Sequence, residues 1–512
     1  MNRWMLFPLL AGLLALWLSH GFMRVPFVSN DGVQYLDAAE HLRSGQCLCT
    51  TVAHFDEQVA RGSFPVPFTH FAPGYPILVA GISFLGFAPD IAGYMISALA
   101  FLVTLWATWD MGLRLGAGPV AMVLISLLWL TSDLALSYAA QVQADAALTA
   151  VLCVTAALVV RDVQSDGSGR FGLVAIGIAA ALSYWMKYAG LFVIPVAILY
   201  LLWRAWRTTE SRLWAVGGIA AALLLAAPIP VHNIINEGSW RGGFQSGHHH
   251  TLRFAIVETV KSIYHLIFGA NAPARFDALA LIAVLSLLAV FVLAARSRSP
   301  RPFTALFWMA MFIAAFLSGV ALASMQTIAS DMLRYNLPVY PLLLVAGAVV
   351  LMPRQRVELA AFSIFILAAL VIQSRSVLPA SVSRPDAERA ILAQQPEPGV
   401  SMRRWLETHV AASETIVAVN GQALHYIVKR PVVALIDPAF SDRQTDDAAF
   451  AALMKRFHAR YLVVYPNLSA DAVPEQQAIP FLSNLASGVA PSWLQLAART
   501  ENVAVFACAD CR

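Results

Sequence analysis

Apolar segments long enough to cross a lipid bilayer recur along this chain from its start to residue 373. A helix that spans the hydrocarbon core needs about 20 apolar residues, and in lipid its backbone polar groups have to be satisfied within the helix. Only 12% of the 512 residues are charged, whereas a soluble domain carries about 25%. The sequence therefore predicts a polytopic α-helical membrane protein.

Basic residues collect in short gaps between the apolar segments, as at Arg114, Arg204 and Arg354. The positive-inside rule places these gaps in the cytoplasm, together with the N-terminus. This arrangement predicts about eleven transmembrane helices, with the chain after residue 373 on the outer side. The predicted spans are approximately 4–22, 92–112, 118–134, 139–160, 171–186, 188–203, 213–235, 277–295, 303–323, 336–352 and 357–373.

The apolar stretch 73–89, "PGYPILVAGISFLGFAP", does not fit this alternation. Counting it as a span would place Arg114 and the later basic gaps on the outer side, against the positive-inside rule. We therefore predict a juxtamembrane or re-entrant helix, which is tolerated where protein covers its backbone.

The segments outside the membrane divide the chain into two predicted domains. Residues 1–373 form a transmembrane module with outer loops at 23–72 and 236–276. In the more polar tail, 374–512, short β-rich runs such as "TIVAVN", "PVVALID", "YLVVYP" and "VAVFA" alternate with helical patterns. This alternation predicts a C-terminal periplasmic α/β domain.

Four of the five cysteines lie in segments predicted on the outer side, Cys47 and Cys49 in the first loop and Cys508 and Cys511 at the end of the chain. In an oxidising compartment the terminal pair favours a disulfide, since a metal site would need two further ligands. Cys153 is interpreted as a small apolar residue within a span.

Four charged residues gather at the outer ends of the predicted spans: Asp31, Asp145, Lys187 and Arg334. Each has an ordinary explanation by itself. Asp31 stands in the first turn of a helix, where the helix dipole favours an acid, and a neighbouring hydroxyl or amide would satisfy Asp145. Lys187 and Arg334 would extend towards lipid headgroups. Charges at membrane depth are costly, however, so four at one depth indicate a functional site.

The chemistry that fits this set is transfer of a sugar from a lipid phosphate. Lys and Arg neutralise a leaving phosphate, and Arg does so with two parallel hydrogen bonds. A carboxylate within hydrogen-bond reach takes the proton of the acceptor hydroxyl. A polyprenyl-phosphate sugar as donor explains a site at the membrane, and it needs no nucleotide-binding loop; the sequence contains no P-loop.

The order of these segments resembles the GT-C superfamily of integral-membrane glycosyltransferases. It is most similar to the protein O-mannosyltransferase branch and the bacterial aminoarabinose transferases of lipid A. The resemblance covers roughly 1–373, and the tail also resembles those of bacterial members. It is carried by "SNDGVQYLDAAEHL", "HFAPGYPILVAGISFLG", "SYWMKYAGLFVIP" and "DMLRYNLPVYPLLLVAG".

The resemblance implies roles for individual residues. Asp31 corresponds to an acid of the first outer loop that is the catalytic base or orients the acceptor, and Lys187 and Arg334 correspond to positions near the donor phosphate. Asp145 corresponds to an acid that many relatives carry early in an inward-running span. Tyr188 and Tyr335 are candidate supporting residues, either as sugar-stacking platforms or as aromatics of the membrane interface. Many relatives carry an acidic pair where this chain reads Asn30-Asp31-Gly32, which argues against a metal held there.

No cofactor is predicted. The histidines of 247–250, "GHHH", are the one stretch suggestive of a divalent cation, and a solvated loop is the preferred interpretation because no carboxylate stands at a suitable spacing. His54 and His70 in the first loop would contact the acceptor or serve packing. The expected partners are membrane lipid, the lipid-linked donor and a lipid, glycan or protein acceptor, with no role for nucleic acid.

Two other classes of protein remain as alternatives. A transporter or flippase of lipid-linked sugars usually has repeated halves and charges near the bilayer midplane, and the sequence has neither. A non-catalytic membrane assembly subunit would keep the fold without needing Asp31 as a base. For the location we expect a bacterial inner membrane.

Overall fold

A computed structural model describes residues 6–22, 27–54, 62–165, 170–243, 251–268, 300–325, 332–350, 398–435, 446–467, 474–509 and 511. Up to residue 350 these residues are mainly helical. The helices are α1 Leu6–Phe22, α2 Asn30–Arg43, α3 Gly74–Ser83, α4 Pro89–Arg114, α5 Pro119–Leu130, α6 Asp133–Ala139, α7 Ala144–Gln164, α8 Arg170–Met186, α9 Val193–Arg207, α10 Arg212–Ala226, α11 Pro228–Glu237, α12 Leu252–Phe268, α13 Pro300–Ser324, α14 Met332–Asn336 and α15 Tyr340–Val350. Short strands between them are β1 Phe27–Val28, β2 Cys49–Thr50, β3 Val52–His54, β4 Val66–Pro67 and β5 Gln141–Val142.

Six helical segments among the described residues are long and apolar enough to cross a membrane. They are Pro89–Arg114, Ala144–Gln164, Tyr188–Arg207, Thr209–Glu237, Arg301–Ser324 and Met332–Val349. The pair α5 and α6, bent by 67°, makes a seventh if it is one span. The polytopic fold is therefore confirmed. Predicted spans 277–295 and 357–373 lie outside the described residues, so the total of about eleven stays a prediction.

The apolar stretch at 73–89 forms α3, a helix of ten residues. At 1.5 Å per residue it is about 15 Å long, roughly half the thickness of the hydrocarbon core. One of its faces packs against α4, where the Tyr75 hydroxyl donates to the carbonyl oxygen of Gly93 at 2.8 Å. This length fits a juxtamembrane or re-entrant helix and not a span.

Helices α8 and α10 approach each other closely at a pair of glycines. A Cβ atom at Gly177 would lie only 1.9 Å from the carbonyl oxygen of Gly218. Helices in membranes associate through such small residues because the backbones can then pack directly. Gly177 therefore sets the spacing between these two helices.

Replacing Gly177 with alanine is expected to destabilise the protein by about 1–3 kcal/mol, because the added methyl group forces α8 and α10 apart. The matched control is Gly172→Ala in the same helix, where among the described residues no heavy atom lies within 4 Å of the added Cβ. The control should keep or slightly raise stability, since alanine favours helix over glycine. Thermal unfolding in detergent measures both variants, and equal midpoints would contradict the close contact.

The described part of the tail forms an α/β unit. Its helices are α16 Pro398–His409, α17 Gly421–Val428, α18 Asp447–Arg456, α19 Pro474–Ala478 and α20 Pro480–Ala486. Its strands are β6 Ile416–Ala418, β7 Val432–Ala434, β8 Tyr461–Val464, β9 Leu494–Arg499 and β10 Ala504–Cys508. Each of the four β-rich runs noted in the sequence overlaps one of these strands.

The sheet of the tail also takes a strand from the first loop. Six strands lie in the order β3-β7-β6-β8-β10-β9. The first four are parallel, and β10 runs antiparallel to both β8 and β9. Strand β3 pairs Val52 with Val432, so the loop that follows α2 is hydrogen-bonded into the tail domain.

A second link between α2 and the tail is the Asp37 cluster, which consists of Asp37, Thr50, Thr51 and His425. Asp37 accepts hydrogen bonds from the Thr50 hydroxyl at 2.7 Å and the Thr51 backbone nitrogen at 2.5 Å. His425 of α17 places Nε2 3.2 Å from Asp37 Oδ1. Burial alone would raise the pKa of Asp37, but His425 and the two threonines lower it well below its usual range.

This lowered pKa predicts an acid-dependent loss of stability. A carboxyl group whose pKa is lower in the folded state stabilises the fold above the unfolded pKa, about 3.9, and that contribution disappears as the pH falls through the folded value. The free energy of unfolding of wild type should therefore exceed that of Asp37→Asn by about 2 kcal/mol at pH 7. This difference should shrink as the pH falls below about 4. Unfolding midpoints measured across this range test it, and a constant difference would contradict it.

Both outer cysteine pairs form disulfides in the structure, Cys47 with Cys49 and Cys508 with Cys511. The predicted terminal disulfide is thus present. Cys153 is a free, buried thiol within α7, in agreement with its interpretation as a small apolar residue.

Candidate active site

The first turn of α2 is fixed against β5 by its sequence, Ser29-Asn30-Asp31-Gly32. Ser29 caps the helix, accepting a hydrogen bond from the Gly32 nitrogen at 3.0 Å. Position 32 requires glycine, because a Cβ there would lie 2.4 Å from the carbonyl oxygen of Val142. Strand β1, which ends just before Ser29, pairs in parallel with β5. Asp31 is consequently held next to the start of α7.

Helix α7 begins directly after β5 and carries Asp145 in its first turn. The side chain of Asp145 is only 1% exposed. A buried carboxylate at the end of a transmembrane helix needs partners of opposite charge. Two cations supply them.

Lys187 is the first of these cations and lies between α8 and the short helical segment Tyr188–Phe192. Its backbone is extended, with φ −158°, so the chain turns there between two helices. The Lys187 Nζ atom donates to Asp145 Oδ1 at 2.6 Å and stands 4.3 Å from the ring centroid of Tyr335.

Arg334, on the five-residue helix α14, is the second cation and joins the two acids. Its Nε and Nη2 atoms donate to Asp145 Oδ2 at 3.1 and 3.0 Å. Nη2 also donates to Asp31 Oδ2. Asp31, Asp145, Lys187 and Arg334 therefore form one ion cluster, formally neutral, and the structure brings together the four charged residues singled out in the sequence.

The two acids of the ion cluster differ in exposure. Asp31 is 23% exposed and Asp145 only 1%. Burial would raise the pKa of Asp31, but the charge and hydrogen bond of Arg334 outweigh it and lower the pKa below its usual range. Asp145 is therefore enclosed with the two cations, while Asp31 is ionised and partly exposed.

The two candidate supporting tyrosines lie in different surroundings. Tyr335 contacts Lys187 from its ring face, a cation–π arrangement. Tyr188 instead donates its hydroxyl hydrogen to the carbonyl oxygen of Thr69 at 2.8 Å, and Asn233 lies beside the same hydroxyl. Tyr335 is thus part of the site's wall, and Tyr188 fastens the loop that carries His70.

Sequence analysis did not identify Gln143 and Tyr138 as site residues. With its amide oxygen towards Arg334, Gln143 accepts from that guanidinium and donates to Gln141 Oε1 at 2.8 Å. The ring of Tyr138 lies 5.8 Å from Arg334 Cζ. Both residues belong to "SYAAQVQAD", the stretch in which the sequence pattern points only to Asp145.

Tyr35 and His70 also lie close enough to Asp31 to feel its charge. Burial, together with the charges of Asp31 and Asp145, raises the pKa of Tyr35. Burial lowers the pKa of His70 to about 4, and the charge of Asp31 only partly offsets it. At neutral pH both side chains are uncharged, so Asp31 is the ionised group among these three.

Over the residues that the structure describes, no three His, Cys, Asp or Glu side chains are grouped as a metal site. The histidines of 247–250 lie outside the described residues. His54 belongs to β3, which pairs with β7 of the tail sheet.

Comparison with known proteins places this site in a wider context. A family described as dolichyl-phosphate-mannose-protein mannosyltransferase matches residues 70–232. The structure of ArnT from Cupriavidus metallidurans bound to undecaprenyl phosphate has a TM-score of 0.62 and 14% identity, over 100% of this chain and 99% of that chain. The chain has the fold of ArnT, and part of it, residues 70–232, matches the mannosyltransferase family.

Two further solved structures are similar to this chain in fold. ArnT from Cupriavidus metallidurans in the apo state has a TM-score of 0.59 and 15% identity, over 98% of this chain and 97% of that chain. Arabinofuranosyltransferase AftD from Mycobacteria, as the mutant R1389S, has a TM-score of 0.56 and 15% identity over 99% of this chain, which spans 41% of AftD. A search of curated protein sequences finds no match.

The family match covers only part of the ion cluster. Asp145 and Lys187 lie within the matched residues 70–232, whereas Asp31 and Arg334 lie before and after them. The structural match to ArnT extends over the whole chain, tail included.

Proposed function

We propose that this protein is a glycosyltransferase that moves a sugar from a polyprenyl-phosphate donor to an acceptor hydroxyl at the outer face of the membrane. The observation that carries the proposal is the ion cluster of two carboxylates and two cations. Asp145, Lys187 and Arg334 lie at the ends of apolar helices, and Asp31 lies at the start of α2. A neutral cluster can admit an anionic phosphate if one carboxylate gives up its cation.

The donor phosphate is assigned to Lys187 and Arg334. Arg334 already binds carboxylate oxygens through Nε and Nη2, and the same pair of nitrogens matches two phosphate oxygens. ArnT has been crystallised with undecaprenyl phosphate, a lipid of this chemical class. Its long chain requires a site that opens towards lipid, which suits the position of the ion cluster.

Asp31 is assigned as the base. As the acceptor oxygen attacks the anomeric carbon of the donor sugar, its proton passes to Asp31, and the bond from that carbon to the phosphate oxygen breaks. The electron pair of this bond leaves with the phosphate, which yields polyprenyl phosphate. A phosphate bound to Arg334 also draws that cation away from Asp31 and adds negative charge nearby, so donor binding raises the pKa of Asp31 and makes it a stronger base.

The surroundings of the reaction are proposed from the charge pattern and the family. The N-terminus lies in the cytoplasm, and the tail lies in the periplasm of a bacterium with the protein in its inner membrane. The acceptor is a lipid, a glycan or a protein that reaches Asp31 from the periplasmic side.

A donor panel tests this function. The purified protein in lipid is incubated with polyprenyl-phosphate sugars and a crude envelope fraction as acceptor, and release of free polyprenyl phosphate is followed. Consumption of one donor supports the transferase and identifies the sugar class. If no donor is turned over although polyprenyl phosphate binds, a transporter or a non-catalytic subunit replaces the proposal.

A further inference from the structure

Helix α2 is held at two points on different faces. Asp31 contacts the ion cluster through Arg334, and Asp37 contacts the tail domain through His425. Asp37 is six positions after Asp31, so the two residues lie about 9 Å apart along the helix axis. Their directions around that axis differ by roughly 120°. A shift of the helix at Asp37 therefore moves Asp31 as well.

The carboxylate of Asp37 joins three parts of the chain at one place. Asp37 belongs to α2, and it accepts hydrogen bonds from Thr50 and Thr51, which lead into β3. His425 belongs to α17 of the tail domain, and His41 of α2 lies at 3.9 Å. Since β3 pairs with β7, the same loop is also part of the tail sheet.

His425 is itself fixed within the tail domain. Its Nδ1 atom lies 2.7 Å from the carbonyl oxygen of Arg430, and its Nε2 atom lies 3.2 Å from Asp37 Oδ1. Both ring nitrogens therefore face oxygen atoms of the protein. The ring is buried, with 4% exposure. His425 thus relays the position of α17 to α2.

A rigid element lies between the two contacts. Residues Gly32 to Ala39 of α2 are all buried, and the helix is continuous from Asn30 to Arg43. A packed helix transmits displacement along its axis, whereas a loop would absorb it. The distance from Asp31 to an acceptor then depends on where the tail domain holds Asp37.

We infer that the tail domain positions the base, with Asp37 and His425 as positioning residues that act on Asp31 through α2. The catalytic part of this inference rests on the proposed function. The structural part, that loss of the His425 contact loosens α2, does not depend on any reaction.

Two substitutions at one position separate the two hydrogen bonds of His425. The amide nitrogen of glutamine corresponds in reach to Nε2 and keeps the contact with Asp37, whereas that of asparagine corresponds to Nδ1 and keeps only the contact with Arg430. His425→Asn should therefore loosen α2 and His425→Gln should not.

The matched control is His458→Asn, since His458 is exposed in the same domain. Thr50→Val, which removes one hydrogen bond to Asp37, is a milder variant in case His425→Asn fails to fold.

Hydrogen–deuterium exchange and kinetics give the decisive readouts on the full-length protein in lipid. In His425→Asn, amides of 30–43 should exchange about tenfold faster than in wild type. For the donor found by the panel, kcat should fall about 10- to 100-fold, because a base displaced by about 1 Å loses rate on that scale. Binding of polyprenyl phosphate should stay unchanged, because Lys187 and Arg334 are untouched.

The outcomes distinguish this inference from the proposed function. Unchanged exchange over 30–43 in His425→Asn, or faster exchange with unchanged kcat, overturns the positioning role even if the protein is a transferase. Faster exchange that also appears in His425→Gln or His458→Asn overturns the assignment to the Asp37 contact. If no donor is turned over, the proposed function fails, and the exchange data still decide whether the tail holds α2.

Discussion

Replacing Asp31 with asparagine is expected to lower kcat for sugar transfer by about 10²- to 10⁴-fold, the usual contribution of a general base. Asparagine keeps the size of the side chain and removes its ability to take a proton. The helix start should survive, because Ser29 provides the N-cap and Gly32 makes the close contact with β5. The loss should therefore appear in turnover and not in folding.

The affinity for the donor distinguishes a role of Asp31 as base from a purely structural role. Asp31 accepts a hydrogen bond from Arg334, and a bound phosphate has to compete for that guanidinium. Removal of the Asp31 charge leaves the ion cluster with an excess positive charge. Affinity of Asp31→Asn for polyprenyl phosphate should consequently stay equal to wild type or increase.

The matched control is Asp133→Asn, since Asp133 begins α6 outside the ion cluster and Asn keeps an oxygen for the Leu134 nitrogen. The predicted loss of turnover with donor binding at least as tight as in wild type in Asp31→Asn, and normal behaviour in Asp133→Asn, would establish Asp31 as the base. Wild-type turnover in Asp31→Asn would remove it from the mechanism and point to another acceptor of the proton.

Sequence reasoning identified the features whose placement in a membrane costs the most free energy. Charges are expensive at membrane depth, so the few that remain there stand out, and all four of Asp31, Asp145, Lys187 and Arg334 meet in the structure. The length of apolar runs likewise predicted helices such as α4 and α7, since the bilayer sets their size.

Sequence reasoning missed features whose pattern is short or whose residues are uncharged. Strand β3 has three residues, too few for a recognisable pattern, and its partner β7 lies in the tail far along the chain. Gln143 and Tyr138 carry no charge and look like ordinary helix residues until Arg334 is placed beside them. The contact of Asp37 with His425 joins two distant polar residues, and only the folded chain brings them together.

Replacing Arg334 with glutamine is expected to have the second large effect, on the donor. Arg334 supplies two of the hydrogen bonds that hold Asp145 and one that holds Asp31. Its loss changes the formal charge of the ion cluster from neutral to −1, which repels an anionic phosphate. Each lost charge-assisted hydrogen bond is worth about 1.5–3 kcal/mol, so KM for the donor should rise about 10- to 100-fold or more.

The same variant has a predicted pH signature. Because Arg334 lowers the pKa of Asp31, its removal should raise that pKa, and the acid limb of the kcat/KM profile should move to higher pH. Arg334→Lys restores the charge without the planar guanidinium and should recover only part of the donor affinity. Unfolding should also occur more readily, since loss of one partner of a buried ion pair costs about 3–5 kcal/mol.

Arg241→Gln is the matched control, because Arg241 is exposed, lies over the ring of Trp240 and is not a member of the ion cluster. A raised donor KM and a shifted acid limb in Arg334→Gln, both absent from Arg241→Gln, would place the phosphate on Arg334. Lower stability of Arg334→Gln with unchanged donor KM would instead make Arg334 a bridge that only holds Asp31 and Asp145 together. Lys187 would then be the remaining cation for the phosphate, with Asp145 as its buried anchor.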